Sequence, residues 1–326
     1  MSIDRNLPDN DQNLSLENDF ATFWSVLSLI HATLTAYDCS TNQSPFVSTG
    51  LLEEKLNEVV PVDGSWHMPW DNRDAYMEYL QKRIEGARFF GIDEIKDKNS
   101  NLPHMLPEPE TFAAAVGDLG ITETDHVVVY DTVGLFSAPR VYWTFKVFGH
   151  KKVSILEGGL PKWETEKRPL EAGSLHITPK SYKVPTVNKS LIRNYQEIID
   201  NIEHGPNAET FAQVVDARPE GRYNGTEPEA RPGLPSGHMP FSANIPFPSV
   251  IDKSSGALLD SDTLKKLCES KNIDLDKPIV VSCGSGVTAA IVMLALEKAG
   301  ANQLAIYDGS WTEYGANEKS PIVGKK

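Results

Sequence analysis

The chain carries three cysteines, Cys39, Cys268 and Cys283, and one of them stands where a thiol can act as a nucleophile. Cys283 follows an apolar, β-branched run, Ile279-Val280-Val281-Ser282, and opens the turn Cys283-Gly284-Ser285-Gly286-Val287-Thr288 ahead of a helical stretch from Ala289 to Ala299. Two glycines allow positive φ and let backbone amides converge with no Cβ in the way. Convergent N–H groups form an anion-binding nest, and the start of the following helix adds a partial positive charge. That setting favours a sulfur-borne negative charge, on a thiolate or on a persulfide. Cys268 lies beside Leu264 and Leu267 on a helix face and reads as core. An odd number of cysteines without short spacings gives neither a disulfide framework nor a zinc site, and it suits a reducing compartment.

The elements that must position Cys283 are written twice. Val127-Val128-Val129-Tyr130-Asp131 is a strand-type run, followed by a small-residue turn, helical spacing from Pro139 to Phe148, the strand Val153-Ser154-Ile155-Leu156 and then Trp163. The same order returns as Ile279 to Ser282, the cysteine turn, the helix to Ala299, Leu304-Ala305-Ile306-Tyr307 and Trp311. Each copy has a matching start: a helix from Leu51 to Glu58 before Val59 to Asp63, and one from Tyr195 to Ile202 before Gln213 to Asp216. Strands alternating with helices predict an α/β fold of two tandem domains, each a parallel sheet covered by helices. Asp131 occupies in the first copy the place that Cys283 takes in the second, and a carboxylate cannot carry sulfane sulfur.

The expected division is an N-terminal extension at 1–46, a non-catalytic domain at 47–168, a linker at 169–190 and a catalytic domain at 191–326. The linker lacks periodicity, carries Pro169, Pro179 and Pro185, and is expected to lie extended on the surface. In the extension, Phe20, Phe23, Trp24, Leu27, Ile30 and Leu34 follow a helical stripe. Thr22, Ser25, Ser28, His31, Thr33 and Thr35 interrupt it, and a bilayer span needs about 20 mainly apolar residues, so an amphipathic helix, docked on the body or loose within a disordered extension, is read in preference to a membrane anchor. The acidic start, with Asp4, Asp9, Asp11, Glu17 and Asp19, resembles neither a signal peptide nor a mitochondrial presequence. A formal charge of −14 argues against a nucleic-acid surface.

The cysteine turn, continued to Ala289, resembles the active loop of the mercaptopyruvate-using branch of the rhodanese superfamily. The resemblance extends through Gly221-Arg222-Tyr223, Gly225 to Glu229, Ser236-Gly237-His238 and Tyr307 to Trp311. In the first copy it includes Asp63 to Trp66, Phe89-Phe90, His104 to Pro107 and Ser137 to Arg140, so it covers about Val47 to Tyr314. Arg83, Glu85 and Gly91 depart from residues common in relatives. Members using thiosulfate carry basic residues after the cysteine, where this chain has Gly284 and Ser285.

The resemblance implies a sulfurtransferase that takes sulfane sulfur from 3-mercaptopyruvate onto Cys283 and passes it to a thiol acceptor, thioredoxin or a sulfur-relay protein. It implies a proton relay of Ser285, His104 and Asp93, and substrate binding by Arg222, Arg231, Gly284, Gly286, Val287 and Thr288. Planar guanidinium forks suit a carboxylate; arginines paired with Glu227 or Glu229 on a solvated surface are the bland alternative. Arg140 matches a family arginine near the domain interface. No metal or organic cofactor is implied. Cytosol is the expected compartment, and the family also populates mitochondria. Rival readings are a thiosulfate sulfurtransferase, a sulfur relay for tRNA thiolation and a non-catalytic docking module. A phosphatase of this fold needs an arginine six residues after its cysteine, and Ala289 stands there.

Overall fold

A computed structural model describes residues 44–325; the amphipathic stretch at 20–37 lies outside them. In the first half the strands are β1 (Phe46–Val47), β2 (Val59–Asp63), β3 (Arg83–Ile84), β4 (Arg88–Phe89), β5 (His126–Tyr130), β6 (Val153–Leu156) and β7 (Leu170–Glu171). The second half has β8 (Ile192–Arg193), β9 (Gln213–Asp216), β10 (Ala243–Asn244), β11 (Ile279–Ser282) and β12 (Leu304–Tyr307). One sheet has the order β1-β6-β5-β2-β4 and the other β8-β12-β11-β9-β10, every pairing parallel. Strand for strand these are the same sheet. β5 and β11 occupy the same central place, so Asp131 and Cys283 both leave the carboxyl end of a buried strand. Loops at that end of a parallel sheet are where open α/β folds build their sites.

The helices of the first half are α1 (Thr49–Glu54), α2 (Ala75–Gln81), α3 (Pro109–Asp118), α4 (Ala138–Val147) and α5 (Gly159–Thr165). Those of the second are α6 (Tyr195–His204), α7 (Glu220–Tyr223), α8 (Ser261–Ser270), α9 (Val287–Ala299) and α10 (Ser310–Tyr314). The first helix ends at Glu54, short of the expected Glu58, and a hydrogen-bonded turn at Lys55 leads into β2. The cysteine helix starts at Val287, two residues before the expected Ala289, because Gly286 takes a left-handed φ of 79° and serves as its N-cap.

α4 and α9, which follow the two corresponding turns, pack against each other, and one apolar core runs through both halves. Ala243 and Asn244 supply the edge strand beside β9, and His238 pairs with Val323. Between the halves the chain is mostly exposed and held to the first half by β7 on β3, by Lys180 N–H donating to the Gly117 carbonyl at 2.9 Å, and by buried Tyr182. Among the described residues no helix is long and apolar enough to cross a membrane.

Candidate active site

The two turns give one geometry two occupants. In the first, both carboxylate oxygens of Asp131 accept from backbone amides: Val133 and Gly134 on one, Phe136, Ser137 and Ala138 on the other, at 2.7–3.0 Å. The turn is an anion nest that holds its own anion. In the second, Cys283 Sγ accepts from Gly286 N–H at 3.1 Å, and the cysteine is only 2% exposed. The Cys283 amide donates to Ser310 Oγ at 3.2 Å, and the Cys283 and Gly284 carbonyls accept from the Trp311 and Thr312 amides, both at 2.9 Å. Ser310, at φ 50°, and α10 behind it therefore brace the turn from the end of β12.

Cys283 opens onto a cavity of about 470 Å³ at the seam of the two halves. Gly284, Ser285, Val287 and Thr288 line it beside the thiol, with Arg222 and Arg231 on the opposing segment. Gly286 does not line the cavity; its contribution is the amide under the sulfur. A side chain at Gly284 would lie 3.8 Å from Arg231 Nη1, so that guanidinium stands close over the turn. Neither Arg222 nor Arg231 forms a side-chain hydrogen bond or ion pair among the described residues. Glu229, offered as their partner, forms its ion pair with Arg218 Nη1 at 2.6 Å, with Arg222 acting on the same carboxyl only at longer range.

Arg218 is a residue that sequence reasoning missed. It is 2% exposed, pairs with Asp216 at 2.6 Å, donates to the Gly237 carbonyl at 2.7 Å and lies over the Trp311 ring at 3.8 Å. It thus ties the end of β9 to the segment that carries Arg222 and Arg231. Burial pushes the Glu229 carboxyl up, against the opposing pull of Arg218. The first half supplies Trp66, Met68, Val133 and Phe136 to the cavity wall, also unforeseen. The clue was available for Trp66, since Asp63-Gly64-Ser65-Trp66 was singled out, but nothing local says which way the ring points.

His104 and Asp93 sit one layer back from the cavity, behind Trp66. The Trp66 ring meets His104 edge-on at 4.8 Å, and its Nε1 donates to Asp93 Oδ2 at 2.8 Å. His104 Nδ1 lies 3.0 Å from Asp93 Oδ1, although without the alignment of a hydrogen bond, and Nε2 has no protein partner. The His104 ring beside it holds the Asp93 carboxyl below its ordinary range. Burial pulls His104 below the usual histidine range, with Asp93 opposing and Arg140 and Arg231 reinforcing that shift, so the ring is neutral near pH 7. The structure brings His104 and Asp93 together; it shows no hydrogen bond between His104 and Ser285. Among the described residues no cluster of His, Cys, Asp or Glu has the makings of a metal site.

Two parallel sheets of identical strand order, with a thiol in the anion nest of one and a carboxylate in that of the other, define a duplicated α/β protein built around a single cysteine site. The rhodanese-like domain model matches residues 37–166 and again 194–317, and the chain belongs to the rhodanese family. A relative named thiosulfate/3-mercaptopyruvate sulfurtransferase 2, from Arabidopsis thaliana, is 42% identical over 307 residues, spanning 87% of this chain and 88% of the relative. The probable 3-mercaptopyruvate sulfurtransferase of Schizosaccharomyces pombe is 42% identical over 83% of this chain and 92% of its own. Among solved structures, the Tum1 protein of Saccharomyces cerevisiae superposes with a TM-score of 0.78 at 32% identity, over 86% of this chain and 98% of that one. The 3-mercaptopyruvate sulfotransferase SseA of Escherichia coli does so with a TM-score of 0.73 at 37% identity, over 82% and 99%.

Proposed function

We propose that this protein is a sulfurtransferase that moves sulfane sulfur from 3-mercaptopyruvate, through a persulfide on Cys283, to a thiol acceptor. The observation that carries the reading is the meeting, in one cavity, of a buried thiol on its amide with two guanidiniums that form no side-chain hydrogen bond or ion pair among the described residues. Free guanidiniums facing a cavity suit a small carboxylate donor. Curated relatives at about 42% identity carry this activity in their names.

In the reaction the Cys283 thiolate attacks the donor sulfur, the donor carbon–sulfur bond breaks and its electron pair leaves on the pyruvate enolate. The proton lost by the donor thiol is returned to the enolate carbon, which gives pyruvate. Ser285 stands beside the sulfur to pass that proton, and a neutral His104 backed by Asp93 can hold it. The outer sulfur keeps its negative charge in the turn whose counterpart holds the Asp131 carboxylate. An acceptor thiolate then attacks that sulfur, forms its own persulfide and returns Cys283 as thiolate. Thioredoxin and a sulfur-relay protein both have the required thiol.

The neutral residues Gly284 and Ser285 after the cysteine favour mercaptopyruvate over thiosulfate, whose two charges call for added cations. We divide the chain into an extension at 1–46, a supporting domain at 47–168, a linker at 169–190 and a catalytic domain at 191–326, a reading supported by the start of β1 at Phe46 and by the thiol lying in the second half. The cysteine usage points to a reducing compartment such as the cytosol; a further relative from Arabidopsis thaliana is named mitochondrial.

The test is intact-protein mass after brief exposure to 3-mercaptopyruvate or to thiosulfate, with Cys283→Ser in parallel. One added sulfur atom with mercaptopyruvate, absent from the variant, is the expected result. No added sulfur with either donor would overturn the reading in favour of a non-catalytic docking module.

A further inference from the structure

Arg140 belongs to the half that has no cysteine, yet its guanidinium lies at the cysteine turn. It leaves α4 one turn after Ser137, is 2% exposed and stacks over Trp143 at 4.5 Å. Nη1 donates to the Gly286 carbonyl at 3.3 Å, and Nη2 donates to the carbonyl of His104. Nη2 also lies 2.7 Å from Asp308 Oδ1, and the other oxygen of that carboxylate accepts from the Leu106 amide at 2.9 Å. One buried cation therefore holds the backbone on both sides of the seam.

Two backbone facts show that this grip sets geometry. His104 sits at φ 61°, a left-handed conformation that a non-glycine residue adopts at a cost. Its carbonyl is turned to Arg140, and the ring is thereby turned to Asp93 and Trp66. Gly286 also has a left-handed φ, and a Cβ there would come within 2.7 Å of Arg140 Nη1. The turn residue whose amide supports Cys283 Sγ thus owes its close approach to the guanidinium to the lack of a side chain. A lysine has three donors but on a single nitrogen at the end of a flexible stem, so it cannot reproduce the fixed planar spacing at which Nη1 and Nη2 reach the two carbonyls.

We propose that Arg140 is a positioning residue for the sulfur-transfer site: by fixing the His104 and Gly286 carbonyls at one point it sets the relay histidine against the cysteine turn. This rests on the relay reading of His104. The charged groups that face the His104 ring are Asp93, Arg140 and Arg231, with Asp308 reaching it through Arg140. Loss of the Arg140 charge should let His104 keep its proton to higher pH.

The experiment compares wild type, Arg140→Met and Arg140→Lys as full chains. Three quantities are followed: thermal midpoint, the single-turnover rate of sulfur loading from 3-mercaptopyruvate against concentration and pH, and the rate of Cys283 alkylation by iodoacetamide. For Arg140→Met the maximal loading rate is expected to fall about a hundredfold, the loss that an ångström of misplacement produces. Half-saturation should stay within threefold, because Arg222 and Arg231 are untouched, and the acid limb of the profile should move up in pH. Arg140→Lys should fall about tenfold with its acid limb near the wild-type position. If Arg140→Met does not fold, Arg140→Lys decides alone.

A lower thermal midpoint with loading rate and acid limb unchanged would overturn the proposal and leave Arg140 a structural tie. Should wild type load no sulfur, the sulfurtransferase reading fails by itself. Alkylation then still judges the positioning: equal rates for wild type and variant would reject it, and a slowed variant would support it.

Discussion

Asp131 and Cys283 show at the scale of one residue what a repeated turn can do. The same backbone closes around a carboxylate in one copy and beneath a thiol in the other, and only the second is free to gain and lose a sulfur atom. The carboxylate is also structural. Five amides converge on it, and removing it leaves buried donors that each cost about 1–3 kcal/mol when unsatisfied. Relaxation of the turn would recover part of that cost. Asp131→Ala is therefore expected to lose about 3–5 kcal/mol of stability, read as a lower urea midpoint at unchanged slope. A loss under about 1 kcal/mol would mean that water or a bound anion can replace the carboxylate. At this scale the sequence was informative where a residue's neighbours in the chain define its setting. Cys283 with Gly284, Ser285 and Gly286 could be read that way. His104 and Asp93 became visible only through resemblance, since ten residues of loop separate them. Arg140 was visible only through resemblance, because its partners Gly286 and Asp308 lie far along the chain, and Arg218 was missed because nothing local says that it buries itself between Asp216 and Glu229.

The elements were legible in proportion to their length. The central strands β2, β5, β6, β9, β11 and β12 are buried runs of four or five residues and stand out as apolar stretches. The outer strands β1, β4, β8 and β10 have two residues each, too few for any pattern, and exist because a neighbour offers its edge. Equivalent strands also differ where they end. β9 ends in Asp216, paired with Arg218; β2 ends in Asp63, where the residue two positions on is Ser65 and no cation is at hand. Among the described residues Asp63 Oδ2 forms no hydrogen bond of good geometry, and burial pushes this carboxyl up to about 6, with Ser65 and the Tyr130 hydroxyl opposing and nearby Asp131 adding to the effect. A folded-state value above the unfolded one means that Asp63 contributes stability while protonated. That contribution is whole below about pH 4 and is lost as the pH rises through about 6. Asp63→Asn keeps an oxygen for the Ser65 amide and carries no charge. It is expected to gain about 2–3 kcal/mol at pH 7 and none at pH 4, measured by urea denaturation across that range. An equal effect at both pH values would assign it to packing.

At the scale of the molecule the chain has solved a conflict of charge. Its formal charge is −14, and its cavity must attract an anion. The long-range field of such a chain repels anions, whereas Arg231 stands over the cysteine turn and Arg222 lines the same cavity, so both act at short range. Salt separates these effects by their range. The Debye length shrinks from about 30 Å at 0.01 M to about 8 Å at 0.15 M, which screens the whole-molecule repulsion and leaves contact-distance attraction largely in place. An ordinary enzyme–anion encounter driven by surface cations slows as salt is added. Here kcat/KM for 3-mercaptopyruvate is expected to rise about two- to threefold between those ionic strengths, measured with a salt whose anion binds guanidinium weakly. Arg231→Ala should weaken the donor at both ionic strengths while the direction of the salt effect persists. A steep fall with salt in the wild type would show that a surface field of cations guides the donor, and the two cavity arginines would then be part of a larger basic funnel. The duplication makes the local solution possible. Because Trp66, Val133 and Phe136 of the first half wall the seam opposite the second, the two half-buried arginines share one cavity with the thiol and act on an anion there at short range.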